Sequence, residues 1–254
     1  MFCGLIGMRR WAINFTSNLA QDNRELDMPK KRHQPGGLEI LYEDKDILVV
    51  DKPAGMLTIG TANNKTNTAY YKLTDYVRKG YSKSRNRIFI VHRLDQSTSG
   101  VLVFAKNEEA KFRLQSQWKD TEKKYAAVVY GQLAKKEDVI SSYLAENKVF
   151  IVYSTTDATK GKLAHTAYKV LKESRRFSLL EINLLTGRKN QIRVHLADKG
   201  HPVVGDRKYG KPKDIFRRLA LHSKSISFKH PTTGRQMTFE TRMPSYFNEL
   251  VDNG

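Results

Sequence analysis

The feature that most limits the fold is a series of short apolar runs, separated by turn residues, that begins after Gly37. Most of these runs have the length and composition of β-strands, and they lie at 38–42, 47–50, 88–91, 101–104, 125–130, 150–153, 167–171, 177–185 and 219–228. Helical periodicity occurs at 67–79, 108–118 and 187–199, the last with Thr186 as its cap. Because strands outnumber helices and do not alternate with them regularly, the sequence predicts an α+β fold with a mixed, mainly antiparallel sheet.

Residues 1–37 differ from the rest of the chain in composition and periodicity. They are polar and aperiodic, and they end in a basic, turn-rich stretch at 28–37. Two interpretations remain open: a flexible basic arm, or a start site assigned too early, with Met28 as the true initiator. Either way, the sequence predicts a single folded domain over residues 38–250.

The charge balance is strongly basic. There are 45 Lys and Arg against 26 Asp and Glu, which gives a formal net charge of +19, and aromatic residues make up 10% of the chain. A foldable chain with this surplus of cations is typical of a protein that binds a polyanion, and phosphate contact is the natural use of such a surface because each neutralised phosphate releases a counterion. The alternative is a solvated basic surface that keeps the protein apart from its own copies.

Several other features restrict the location and the chemistry. Cys3 is the single cysteine, so no disulfide can form within the chain, and we expect a reducing compartment, the cytoplasm. No apolar stretch approaches the ~20 residues of a membrane span. Neither the histidine spacing nor the cysteine count fits a zinc site, and no glycine-rich phosphate loop is followed by lysine.

The densest group of polar residues lies at 92–99, between two apolar strands. It contains His92, Arg93 and Asp95. A loop on a rigid strand pair often displays functional residues. An ordinary turn, in which Asp, Ser and Thr bond nearby backbone groups, fits the same residues. A kinase catalytic loop does not, because the aspartate is one position late and no Asp-Phe-Gly segment follows.

This loop is one of five blocks that occur in order, at 51–55, 92–100, 124–131, 186–196 and 200–210, with Leu221 and His222 following them. Together the blocks resemble the RluA family of pseudouridine synthases, which modify ribosomal or transfer RNA. The resemblance implies a pseudouridine synthase catalytic domain over 38–250, with a sheet in two lobes flanked by helices and an active cleft across its middle. It also implies that Asp95 and Arg193 face each other there.

The resemblance implies a catalytic role for Asp95. Pseudouridine formation breaks the N-glycosidic bond, rotates the freed uracil and rejoins it to the sugar through C5. An ionised carboxylate beside the sugar can attack C1′ as a nucleophile, or it can remove a proton from C2′ to give a glycal. Both routes remain open.

The remaining site residues are also implied by the resemblance. Arg193 is expected to hold Asp95 in a bidentate pair, and Tyr125 to stack on the flipped uracil. Arg93 is expected to enter the gap that the nucleotide leaves. Further RNA contacts are expected from Arg188, Lys189 and Gln191. Family members often carry Thr-His where this chain has Lys189-Asn190, which we interpret as a subgroup trait affecting substrate fit.

The expected partner is structured RNA, either ribosomal or transfer RNA. Neither a metal nor an organic cofactor is expected, because the substrate carries its own leaving group and acceptor carbon. We expect a monomer without an obligate protein partner or membrane association. One alternative of another class remains, an RNA-binding ribosome-assembly protein on a synthase-like fold. A glycosidase acting on free nucleosides fits the basic surface less well.

Overall fold

The structure is a computed structural model that describes residues 35–62, 64–79, 81, 83–210 and 215–254. The arm predicted at 1–37 lies outside this range except for its last three residues. The elements, in chain order, are β1 (Glu39–Glu43), β2 (Ile47–Lys52), α1 (Ala69–Arg78), β3 (Phe89–Ile90), β4 (Ser99–Ala105), α2 (Glu108–Ser116), β5 (Glu122–Tyr130), β6 (Glu137–Glu146), β7 (Val152–Thr155), β8 (Lys162–Glu173), β9 (Phe177–Leu184), α3 (Gln191–Asp198), β10 (Leu221–Lys229), β11 (Gln236–Glu240) and α4 (Tyr246–Asp252).

These strands form one mixed sheet. Its order is β1-β2-β4-β10-β5-β9-β8-β6-β7, with β3 paired to β4 and β11 paired to β10. Every strand pair is antiparallel except β4 with β10. The predicted α+β class and mainly antiparallel sheet are therefore confirmed.

Strand β4 is buried on both faces. Leu102 and Phe104 belong to the larger hydrophobic cluster, whereas Val101 and Val103 belong to a second cluster on the opposite face. Successive side chains of a strand point to opposite sides of the sheet, so a continuous apolar run is what a strand covered on both sides requires. The strand that follows the Asp95 loop is therefore fixed from both sides.

Helices complete the two cores. Helix α1 contributes to the larger cluster and α2 to the second. Each begins at a capping residue: Thr68 accepts a hydrogen bond from the N–H of Tyr71, and Asn107 from that of Ala110. None of the helices in the described part of the chain has the length and apolar character needed to cross a bilayer.

Strand β10 joins the two halves of the sheet. It pairs with β4 through His222 and Ser223 alone, in parallel, and with β5 along most of its length. At this seam Gly100 has a φ of +111°, and a Cβ there would lie 2.1 Å from the carbonyl oxygen of Ser223. Only glycine permits so close an approach.

The sequence-based boundaries were wrong in some places. Helix α3 begins at Gln191 instead of 187, and its N-cap is Asn190 instead of Thr186, because the hydroxyl of Thr186 donates to the Gln191 side chain. Strands β6 and β11 and helix α4 were not predicted. The alternation in β6 is irregular, and β11 pairs with β10 alone, so neither has a continuous apolar run.

Candidate active site

A cavity of about 270 Å³ opens beside the Asp95 loop. Its wall contains every site residue predicted from the sequence except Lys189, namely Arg93, Asp95, Tyr125, Arg188, Gln191 and Arg193. They come from the loop before β4, from β5 and from the start of α3. The fold therefore brings together residues that are far apart in the chain.

A buried lysine supports the Asp95 loop from below. Lys52 is fully buried, and its Nζ donates to the carbonyl oxygens of Pro53 (2.9 Å), Met56 (2.8 Å) and Gln96 (3.3 Å). Burial lowers the pKa of Lys52 to about 8, and the charge of Asp95 opposes that shift. The lysine therefore ties β2 to the backbone just after Asp95.

Arg193 bridges two carboxylates. Its Nη1 donates to Oδ2 of Asp95 at 2.9 Å, while its Nε and Nη2 donate to Oδ2 and Oδ1 of Asp206 at 2.7 and 2.8 Å. The expected bidentate pair with Asp95 was wrong, because the fork of the guanidinium is taken by Asp206. The side chain of Asp206 is fully buried, and that of Arg193 is 10% exposed.

The electrostatics of this group follow from the pairing. Burial lowers the pKa of Arg193, but its hydrogen bonds to Asp206 and the charges of Asp206 and Asp95 outweigh burial and raise that pKa. Burial also raises the pKa of Asp206, and the hydrogen bonds and charge of Arg193 outweigh it and lower that pKa. Each partner therefore favours the charged form of the other in the pair of Arg193 and Asp206.

A second donor reaches the same oxygen of Asp95. Nδ2 of Asn190 donates to Oδ2 at 2.6 Å, and Oδ1 of Asn190 accepts from the hydroxyl of Tyr209 at 3.2 Å. The Tyr209 ring lies 5.1 Å from the centre of the Arg193 guanidinium. Among the described residues, none donates to Oδ1 of Asp95, whose side chain is 29% exposed.

Tyr125 forms another part of the wall. In the sheet it stands opposite Ser223 of β10, and Ser223 stands opposite Gly100 of β4, so the three residues form a row across the seam. Burial raises the pKa of Tyr125 to about 12, and its phenol is therefore protonated at neutral pH. It can act as a hydrogen-bond donor.

The predicted RNA-contacting residues differ in their surroundings. Arg93 is exposed and has no hydrogen-bond partner within the described ranges. The Nε of Arg188 donates to the carbonyl of Leu163, and Lys189 pairs with Glu146 outside the cavity wall.

Gln191 is held within the protein. It is 2% exposed, and its amide bonds the groups His165 O, Thr166 Oγ1, Thr186 Oγ1 and Arg188 N. These contacts occupy all four hydrogen-bonding positions of the amide. A contact between Gln191 and RNA requires one of them to break.

His92 packs under the loop. Its Nε2 accepts the N–H of Val103 at 3.1 Å, and its ring lies 4.6 Å from that of Trp118. Burial lowers the pKa of His92 to about 3, so the imidazole is neutral.

One group of possible metal ligands, Asp44, Asp46 and His230, occurs in the described part of the chain. Nδ1 of His230 accepts the N–H groups of Thr232 and Thr233, and Nε2 lies 2.8 Å from Oδ2 of Asp44. Because Nδ1 must be unprotonated, Nε2 carries the hydrogen and donates to Asp44. Neither imidazole nitrogen is then free for a metal, and the group ties the β1–β2 turn to the residues after β10.

Comparison with known proteins identifies the family. The model of the RNA pseudouridylate synthase family matches residues 46–198. The chain belongs to this family. It is 38% identical over 224 residues to the uncharacterized RNA pseudouridine synthase YlyB of Bacillus subtilis, covering 87% of this chain and 74% of that protein. It is 35% identical over 240 residues to the ribosomal large subunit pseudouridine synthase D of Zymomonas mobilis, with the same coverages of 87% and 74%.

The fold of the synthase agrees with solved structures. The human protein RNA pseudouridylate synthase domain containing 4 superimposes with a TM-score of 0.70 at 21% identity, covering 84% of this chain and 92% of that one. The predicted family and fold are confirmed, and the protein is an RNA pseudouridine synthase, an isomerase that acts on RNA.

Sequence reasoning missed three residues around Asp95 in the synthase: Asn190, Asp206 and Tyr209. All lie in the two C-terminal blocks, but sequence order does not indicate which side chain meets which. The one usable signal was Asn190 itself, since asparagine stands where an imidazole is often found in the family.

Proposed function

We propose that Asp95 is the catalytic carboxylate of this synthase, and that Tyr125 and Arg193 assist it on a uridine flipped out of ribosomal or transfer RNA. The observation that carries the proposal is the difference in hydrogen bonding between the two carboxylate oxygens of Asp95. One oxygen is held by Arg193, the other has no donor among the described residues, and the side chain is 29% exposed and lines the cavity. An oriented, ionised oxygen is what either route to pseudouridine requires.

The reaction needs few groups. The bond between N1 and C1′ breaks, uracil rotates, and C5 bonds to C1′, after which C5 loses its proton and N1 gains one. Asp95 acts on the sugar, either at C1′ or at the C2′ proton. The cavity, about 270 Å³, lies near the lower end of small-molecule sites, roughly 300 Å³, which suits a single flipped nucleotide better than a duplex.

We assign to Tyr125 the role of packing on the uracil, because it lines the same cavity as Asp95. Stacking of a base on an aromatic side chain contributes about 1–3 kcal/mol and makes no demand on the edge of the base. Because the phenol keeps its proton at neutral pH, its hydroxyl can donate a hydrogen bond to the rotating ring.

Cations beside the cavity suit the RNA backbone. Arg93 and Arg188 are exposed at its wall. A second cavity of about 390 Å³ also reaches Arg193 and is lined by Arg207, Lys208 and Arg217. Phosphates that flank the target nucleotide can bind there, and Arg93 can occupy the gap in the RNA. Lys189 lies farther out, paired with Glu146.

The substrate class, the assembly and the location complete the proposal. Two relatives carry the names ribosomal large subunit pseudouridine synthase D and C, which supports ribosomal RNA as the first substrate to test and transfer RNA as the second. We further propose that residues 38–250 are the catalytic domain and that the protein works as a monomer. The single cysteine supports a cytoplasmic location.

The decisive experiment measures tritium release from RNA labelled at uracil C5. Wild type is expected to release tritium, and Asp95→Asn to bind the same RNA without release. Asp252→Asn, which makes the same chemical change in an exposed ion pair with Lys172, is the matched control and is expected to react like wild type. Equal release from wild type and Asp95→Asn would refute the catalytic assignment, and RNA binding without release by wild type would favour an assembly role.

A further inference from the structure

Asn190 occupies the N-cap position of α3 but does not cap the helix. Its backbone has a φ of 53° and a ψ of 16°, and its side chain makes no capping hydrogen bond. An N-cap asparagine usually accepts a hydrogen bond from the first turn of its helix. The left-handed backbone, which asparagine tolerates better than most residues, accompanies a side chain that instead bonds Oδ2 of Asp95 at 2.6 Å.

The orientation of the Asn190 amide is fixed from both ends of a hydrogen-bond chain. The N–H of Val152 donates to the hydroxyl of Tyr209 at 3.1 Å, and that hydroxyl donates to Oδ1 of Asn190 at 3.2 Å. A backbone N–H can only donate, and an ionised carboxylate can only accept. The chain therefore runs in one direction only, with the amide nitrogen towards Asp95.

The two oxygens of Asp95 consequently differ. Oδ2 accepts from Nη1 of Arg193 and from Nδ2 of Asn190, whereas Oδ1 has no donor among the described residues. Two donors on one oxygen fix the rotation of the carboxylate and leave Oδ1 unbonded on a residue that lines the cavity.

We propose that Asn190, aligned by Tyr209, is a positioning residue that holds Oδ2 of Asp95 and leaves Oδ1 as the oxygen that acts on the sugar. This inference rests on the proposed catalytic role of Asp95. An imidazole at this position changes its charge near neutral pH, whereas an amide does not titrate. In this chain the second donor to Asp95 is therefore present at every working pH.

The first test removes the amide without straining the backbone. Glycine adopts positive φ readily, so Asn190→Gly preserves the start of α3 and deletes only the donor. Single-turnover tritium release is expected to fall about ten- to hundredfold, the effect of losing a hydrogen bond to a charged group. The dissociation constant for the RNA is expected to stay within about twofold, since both polar atoms of the Asn190 side chain are bonded to Asp95 and Tyr209.

The second test removes only the alignment. Tyr209→Phe deletes the hydroxyl and keeps the ring against Arg193, and a smaller loss of rate is expected. In an Asn190→Gly background the same change is expected to cost nothing more, because the hydroxyl acts through the amide. Tyr153→Phe is the control, since Tyr153 is adjacent to Val152 and 41% exposed, and it is expected to react like wild type.

The third test uses the pH profile, which a purely structural role would not move. Asn190→Asp places a second carboxyl against Asp95, in a site that also contains Arg193, Asp206 and, below the loop, Lys52. Two adjoining carboxyls cannot easily ionise together. In Asn190→Asp, the acid limb of the pH profile of the single-turnover rate is therefore expected to shift to higher pH by about one unit or more. Asn190→His is expected to restore most of the rate that Asn190→Asp loses.

The outcomes separate this inference from the proposed function. If Asp95→Asn releases tritium, the catalytic assignment fails. If Asp95→Asn is inactive while Asn190→Gly and Asn190→Asp keep the wild-type rate and pH profile, the catalytic assignment stands and the role of Asn190 is overturned. Suppose that Tyr209→Phe lowers the rate in the Asn190→Gly background by the same factor as it does in wild type. The hydroxyl of Tyr209 would then not act through Asn190, and the proposed alignment would be overturned.

Discussion

Asp206→Asn tests how the buried pair with Arg193 supports the site. Asp206 accepts four hydrogen bonds, from Nε and Nη2 of Arg193 at 2.7 and 2.8 Å and from the backbone N–H groups of Lys208 and Tyr209 at 2.9 and 3.0 Å. An asparagine at this position can still accept the three hydrogen bonds that end on Oδ1. In place of Oδ2, however, it has an amide NH2 group, which faces the Nε–H of Arg193 so that two donors meet.

The expected loss of stability is large because the pair is buried. Breaking a buried ion pair by removing one charge costs about 3–5 kcal/mol, whereas an exposed pair contributes about 0–1 kcal/mol. Asp206→Asn is therefore expected to lower the free energy of unfolding by about 3–5 kcal/mol. Asp252→Asn, in its exposed pair with Lys172, should change it by less than about 1 kcal/mol.

The rate should fall separately from the stability. With Asp206 neutral, the guanidinium of Arg193 loses its anchor and no longer holds Asp95 in one place, and small misplacements of a reacting group cost up to about a hundredfold in rate. Urea unfolding measures the first effect, and single-turnover tritium release well below the unfolding midpoint measures the second. A change of less than about 1 kcal/mol together with a wild-type rate would refute the structural reasoning.

Three further predictions concern the seam, the RNA surface and pH. Gly100→Ala should cost about 3 kcal/mol or more in urea unfolding, because its Cβ would meet the carbonyl of Ser223 at 2.1 Å; a loss under about 1 kcal/mol would contradict this close contact. Arg217→Ala should reduce the slope of log affinity for RNA against log salt by about one, and an unchanged slope would exclude a phosphate contact there. Burial lowers the pKa values of His195 and His222 to about 4, below the ordinary value near 6.5. Between those two pH values the histidines are protonated in the unfolded chain but not in the folded one. The free energy of unfolding should therefore fall by up to about 1.4 kcal/mol per pH unit for each histidine as the pH is lowered. Equal free energies of unfolding at about pH 7 and pH 5 would contradict this prediction.

Part of this site could be predicted because local sequence determines it. The loop at Asp95 lies between two strands that are apolar runs in the sequence. Every residue of β4 is buried, because both faces of the strand are covered. The family resemblance carried by the five blocks then implied that Tyr125 and Arg193 share a site with Asp95. The cavity wall contains all three.

Other parts could not be predicted because they depend on tertiary contacts. Whether the fork of Arg193 meets Asp95 or Asp206 is decided by the packing of α3 against the 205–209 segment, which has no periodic signal. The start of α3 was missed for a related reason: Asn190 takes a left-handed conformation and bonds Asp95 instead of its own helix. Local capping rules cannot anticipate a cap residue whose side chain serves another element.

The position of β10 has a consequence for how the enzyme is made. Strand β10, which links the Asp95 loop to the Tyr125 strand, is synthesised after both of them, yet it lies in the middle of the sheet between β4 and β5. Chains fold progressively during synthesis, but β4 and β5 are neighbours only through β10. A nascent chain that ends before residue 221 therefore has both halves of the site without the strand that sets their separation, and we expect it to be inactive until β10 has been made.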